Sequence, residues 1–123
     1  MMKNWIFAAA FALPLMLGAA PAAAKDHCDE AVSQNEMSQC AEDAFDRADK
    51  ALNAVYQDQM KGLDDHSRDL LKKSERAWIA FRDAECTYQN AANEGGSIYP
   101  MVYAGCESTL TKDRIKQLKA GQN

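Results

Sequence analysis

The sequence predicts an all-α protein: a small antiparallel bundle or hairpin of about three helices, closed by two disulfides. Three observations lead there. Strand signals are almost absent, while Ala, Gln, Lys, Glu and Leu dominate. Beyond residue 33, apolar residues recur at helical steps, broken only by short glycine- and proline-bearing stretches. Four cysteines, Cys28, Cys40, Cys86 and Cys106, follow an N-terminal export signal, and an even count in a small exported chain reads as a disulfide framework.

The export signal comes first. Lys3 gives a positive start, WIFAAAFALPLML supplies the apolar run, and Ala22-Ala23-Ala24 offers a small-residue cleavage site. Residues 1–24 therefore read as a secretory signal peptide, too short and wrongly flanked for a membrane anchor. Cys28 follows Lys25-Asp26-His27 rather than a small-residue box, which argues against lipid attachment. The expectation is one periplasmic or secreted domain, residues 25–123. Without Lys3 the basic count falls from 14 to 13 against 18 acids, a net charge of about −5. That balance argues against nucleic acid or anionic lipid and favours a basic protein partner.

Helix by helix, the punctuation is specific. Ser33 with Glu36 three residues on forms a capping box that starts the first helix. Met37, Ala41, Ala44, Ala48, Leu52, Val55 and Met60 recur at steps of three to five along one face. Gly62 fits its end, and Asp64-Asp65 cap the next start. The second helix carries Leu70, Leu71, Trp78, Phe81 and Tyr88 and is expected to stop before Gly95-Gly96. Tyr99-Pro100 places proline at the start of a third helix running through Met101, Cys106, Leu110 and Leu118, with Thr111 a point of restart or kinking. The last residues, 121–123, read as frayed.

Short connections make sequential helices antiparallel, and two cystine patterns survive that geometry. Cys40–Cys86 with Cys28–Cys106 fits a hairpin turning near Asp64. Cys28–Cys40 with Cys86–Cys106 closes shorter loops and is the favoured pairing. Each bridge adds roughly 2–4 kcal/mol to a domain of this size.

The stretch RAWIAFRDAEC, Arg76 to Cys86, tests whether the chain carries an active site. Trp78, Phe81, Arg82 and Glu85 share a face by their spacing. Asp49 lies near the level of Arg82, and Arg114 near that of Trp78. The expectation is structural: Asp49, Arg82, Glu85 and Arg114 form ion pairs between helices, their stems packed on Trp78. Acid–base catalysis needs two carboxylates converging on a cleft, and no spacing here demands that, so no catalytic residue is assigned. His27, Cys28 and the neighbouring acids match no zinc spacing, His66 reads as a turn residue, and Met37, Met60 and Met101 read as core filler. No metal or cofactor is expected, and no phosphate loop or nucleophile elbow is present.

One connection stands apart. Glu94, Gly95, Gly96, Ser97, Ile98 and Tyr99 combine two glycines, a hydroxyl, an isoleucine and an aromatic between two helices. The bland reading is a turn whose Ile98 and Tyr99 fold back on the bundle. The functional reading is a recognition loop, because an aromatic beside small flexible residues suits a binding surface.

The full pattern resembles a known family. Cys28, then Glu36-Met37-Ser38-Gln39-Cys40-Ala41, Ala48-Asp49-Lys50-Ala51-Leu52-Asn53 with Tyr56, Arg76-Ala77-Trp78 with Phe81-Arg82-Asp83-Ala84-Glu85-Cys86, Gly95-Gly96-Ser97, Cys106, Leu110-Thr111 and Arg114 are similar to the LprI-like family of small exported bacterial proteins. The resemblance spans nearly the whole of residues 25–123. It implies a helical domain of the cell envelope and, for the member that names the family, inhibition of animal-type lysozyme, which points to a binding protein that blocks the cleft of a basic lysozyme. The other reading carried forward is a non-catalytic envelope adaptor that binds another exported protein or a cell-wall fragment.

Overall fold

A computed structural model describes residues 27–121, so the expected signal peptide and its cleavage point near Ala24 lie outside the described residues. Three α-helices account for most of the described chain: α1 (Gln34–Lys61), α2 (Asp65–Gln89) and α3 (Tyr99–Ala120). Short 3-10 turns at His27–Glu30 and Ala91–Asn93 complete it, and no strand occurs among the described residues. The all-α expectation holds, with both disulfides.

The local signals act as the residues dictate. The Ser33 hydroxyl accepts from the backbone N–H of Glu36, and Glu36 Oε2 accepts in return from the N–H of Ser33 at 2.9 Å. Asp64 caps α2 by accepting from Ser67 N–H at 2.7 Å. Pro100 sits in the first turn of α3, where a missing N–H costs no helical hydrogen bond. Helix α2 stops before Gly95-Gly96 as expected, and one expectation, at Thr111, is overturned. Helix α2 ends at Gln89 because Asn90, fully buried, is tied elsewhere: its Nδ2 donates to Tyr99 O at 2.9 Å, and its Oδ1 accepts from Asn93 Nδ2 at 2.7 Å. Thr111 neither restarts nor kinks α3, which is continuous there; it is buried, and its hydroxyl accepts from Arg82 Nη1 at 3.3 Å.

The helices run up, down and up. Gln34 meets Met101 at one end and Gln59 meets the Leu118 carbonyl at the other, so α1 and α3 are parallel. They approach more closely than any other pair, along a seam of small buried residues: Ser38 and Ala48 on α1, with Ala104, Ser108 and Thr111 on α3. Helix α2 runs antiparallel to both. Arg68 Nε donates to the Met60 carbonyl near the α1–α2 turn, and Cys86 joins Cys106 near the other end. The bridges are Cys28–Cys40 (Cα–Cα 5.3 Å) and Cys86–Cys106 (5.6 Å), the short-loop pairing.

Candidate functional site

The charged residues of the opening motif sit inside the bundle. Arg82, only 6% exposed, lies between α1 and α3 with its guanidinium flanked by the rings of Phe45 (5.0 Å) and Trp78 (5.3 Å). It reaches three carboxylates: Glu107 at 2.7 Å, Asp83 at 3.0 Å and Asp49 at 3.4 Å. Arg114 packs on Trp78 at 5.8 Å and donates through Nε to Glu75 at 2.7 Å. The structure thus brings Asp49, Arg82, Trp78 and Arg114 together.

Two expected members are elsewhere. Glu85 accepts from Gln89 Nε2 on its own helix rather than from an arginine. Phe81 is 55% exposed and faces away from the core. The Cys86–Cys106 bridge explains this, because it sets the rotation of α2. With Cys86 turned toward α3, Arg82 and Glu75, four and eleven residues earlier, point inward as well, and Phe81 is carried about 120° off that direction. Helical spacing did not reveal Glu75, Asp83 and Glu107 as partners, since they are chosen by that rotation and by the level of α3.

Glu107 is 2% exposed, and its Oε1 has no hydrogen-bond partner. Burial, aided by the neighbouring Asp83, raises its pKa, while Tyr103 and Arg82 oppose the rise. Tyr103 is pushed up to about 12 by burial and by Glu107. A buried carboxyl with a raised pKa is the raw material of acid–base catalysis. Here Glu107 lines neither of the two clefts described below and sits behind Arg82. Its geometry is that of an internal tie between helices.

The surface offers a different kind of site at the end of the bundle where α1 and α3 begin and α2 finishes. Gly95 there has φ +78°, a left-handed conformation natural to glycine. A Cβ on Gly96 would meet the Asn93 carbonyl at 3.1 Å, so the turn is shaped for glycine at both positions. Glu94, Gly95, Gly96 and Ser97 are exposed and Ile98 is 39% exposed. Tyr99 turns inward, half-buried, its ring stacked on Tyr103 at 5.8 Å. Ser97 and Pro100 form one wall of a polar cleft of about 340 Å³ whose other wall is Gln34, Asn35, Gln39 and Glu42 of α1. No sequence signal pointed to those α1 residues. A larger cleft of about 660 Å³ lies at the opposite end, between Leu63, Leu71, Leu118 and Arg114.

The up-down-up order also sorts charge. Residues 28–46 and 83–106 all fall at the end that carries the loop. They contain Asp29, Glu30, Glu36, Glu42, Asp43, Asp46, Asp83, Glu85 and Glu94, and not one lysine or arginine. The signal was present in the letters, but only the topology brings the two segments to one pole. Among the described residues, no helix is long and apolar enough to cross a membrane.

A family model described as lysozyme inhibitor LprI matches residues 24–118. A protein of Rhizobium meliloti (strain 1021), named only as uncharacterized protein R02472, is 37% identical over 129 aligned residues, covering 91% of this chain and 93% of its own. No solved structure matches.

Proposed function

Because this chain belongs to the lysozyme inhibitor LprI family, we propose that it is an exported, non-catalytic protein that blocks the substrate cleft of a basic lysozyme. The observation that carries the reading is the lysine- and arginine-free pole bearing the glycine loop. Long-range attraction speeds the approach of a basic partner, and it falls away within about 10 Å at 0.1 M salt. On contact, Glu94 to Ile98 enter the groove, which in such enzymes holds two carboxylates and binds sugar through hydrogen bonds. The polar wall of Gln34, Asn35, Gln39 and Ser97 suits that rim. Export is supported by Lys3 and the apolar run, and by a family match that begins at residue 24.

The test is a muramidase assay on bacterial cell walls at low salt with tens-of-micromolar protein. Lysis slows, the effect weakens as salt rises, and Glu94→Lys or Ile98→Asp reduces it without changing the melting temperature. No slowing against any basic lysozyme removes the proposal. Slowing that these variants leave intact moves the contact away from the loop.

A further inference from the structure

Helix α2 has a second apolar face, most of which the bundle leaves uncovered. Leu70, Ser74, Ala77, Phe81, Ala84 and Tyr88 recur at alternating steps of four and three, a continuous stripe about 27 Å long with no charged residue. Leu70, Phe81 and Tyr88 are 52%, 55% and 77% exposed, and Ala77 and Ala84 are exposed as well. The rotation imposed by Cys86 turns the centre of the stripe away from α1 and α3, while at its other end Leu70 and Ser74 border the larger cleft and the Ser74 hydroxyl accepts from Arg114 Nη2 at 3.0 Å. Isolated apolar residues on a surface need no partner, but an uncharged stripe at coiled-coil spacing is a contact surface.

We infer that the stripe pairs with the same stripe of a second copy, α2 against α2 and antiparallel, about a two-fold axis level with residue 79. The order of side-chain sizes selects this occupant. About that axis Leu70 opposes Tyr88 of the second copy, Ser74 opposes Ala84, and Ala77 opposes Phe81. Each ring therefore lies over a small residue or beside a leucine, and no large group meets its own copy. A parallel pairing sets Phe81 against Phe81 and Ala77 against Ala77, crowding one level and emptying the next.

Such a closed two-fold interface uses the same patch twice. The exposed fractions place the area buried on the order of 900 Å² over both copies, at the low end for a specific interface, so the dimer forms at roughly tens to hundreds of micromolar. Running antiparallel, it holds the two acidic poles at opposite ends and leaves both glycine loops free. The inference stands whether or not a lysozyme is the partner of those loops.

Sedimentation velocity on residues 25–123, from about 10 µM to 1 mM, reads the association directly. The wild type shifts from monomer to dimer mass over that range. Phe81→Glu abolishes the shift with an unchanged helical spectrum and melting temperature, as expected for an exposed position. Register is tested by mixing. Ala77→Lys and Phe81→Glu are each monomeric alone, but together they form a heterodimer in which one end joins Lys to Glu and the other keeps the native Phe81–Ala77 contact. A wild type that stays monomeric overturns the inference, as does a dimer that survives Phe81→Glu. Failure of the mixed pair to associate more tightly than either variant alone overturns it too. A monomer whose stripe captures a different protein counts against it equally.

Discussion

Replacing Arg82 by methionine keeps the length of the stem and removes the cation that pairs with Glu107. The variant leaves a carboxylate 2% exposed with no compensating charge. Removing one member of a buried ion pair costs about 3–5 kcal/mol. The Asp49 and Asp83 side chains are 39% and 48% exposed, so their share is small and solvent absorbs it. Methionine retains part of the contact with Phe45 and Trp78. The expected loss at pH 8 is about 3–4 kcal/mol, which for a domain near 100 residues lowers the melting temperature by about 15–25 °C.

The sign with pH follows from Glu107. Its folded pKa lies above the ordinary 4.5, so its contribution to stability is fully present below that value and is lost as pH rises through the folded pKa. Without Arg82 the folded pKa climbs further, and Glu107 escapes the penalty at low pH by taking a proton. The cost of Arg82→Met is therefore smaller at pH 5 than at pH 8. Urea unfolding at pH 5 and pH 8 measures both, and Glu107→Gln added to Arg82→Met recovers stability at pH 8. A cost equal at the two pH values, or a double variant less stable than Arg82→Met, refutes the reasoning.

Other perturbations have equally definite outcomes. Replacing Cys86 and Cys106 together by alanine costs about 3 kcal/mol from the 20-residue separation alone, and more than replacing Cys28 and Cys40, because Cys86 also sets the rotation of α2; thermal melts of the two double variants compare them. Tyr103 loses its proton near 12 rather than 10.0, so stability declines as pH rises through that interval, and Tyr103→Phe flattens the alkaline limb in a pH series of denaturation curves. Gly95→Ala meets no atom within 4 Å but must adopt φ +78°, which costs about 1 kcal/mol in chemical unfolding and loosens the loop. Ser33→Ala removes the cap and costs about 1 kcal/mol. It also weakens the hold that the Ser33 N–H and hydroxyl keep on Glu36, whose lowered pKa gives stability present above 4.5 and lost as pH falls; the acid limb moves upward in pH.

Features written in neighbouring residues were legible in the sequence. Ser33 with Glu36, Asp64 before Ser67, and Pro100 in a first turn act within four residues, and the structure places each where its chemistry calls for it. The cystine pairing was legible as the shorter of two closures. What escaped depends on rotation and height, which no local spacing records. The spacing that groups Trp78, Phe81, Arg82 and Glu85 is true of any helix. Which of the four faces inward is decided by the Cys86 bridge, and it admits Trp78 and Arg82 while excluding Phe81. Glu107 and Glu75 were hidden for the same reason, and the acidic pole needed the order of the helices before its nine carboxylates met.

The distribution of polarity in α2 links these findings. Its inward face presents Glu75, Arg82 and Cys86, while Leu70, Phe81 and Tyr88 look outward, the reverse of an ordinary amphipathic helix. Among the described residues the largest fully buried side chains are Glu107, Asn90, Thr111 and Cys86, none of them aliphatic. A buried ion-pair network adds little net stability compared with apolar packing. It does fix the level of each helix against the next, because Arg82 fits only where Asp49, Thr111 and Glu107 converge. Two disulfides supply the stability that such a core does not. Apolar groups excluded from the interior are then available at the surface. A rigid scaffold with charge inside, a glycine loop at an acidic pole and an uncharged stripe along one flank has the physical properties of a molecule built for contact.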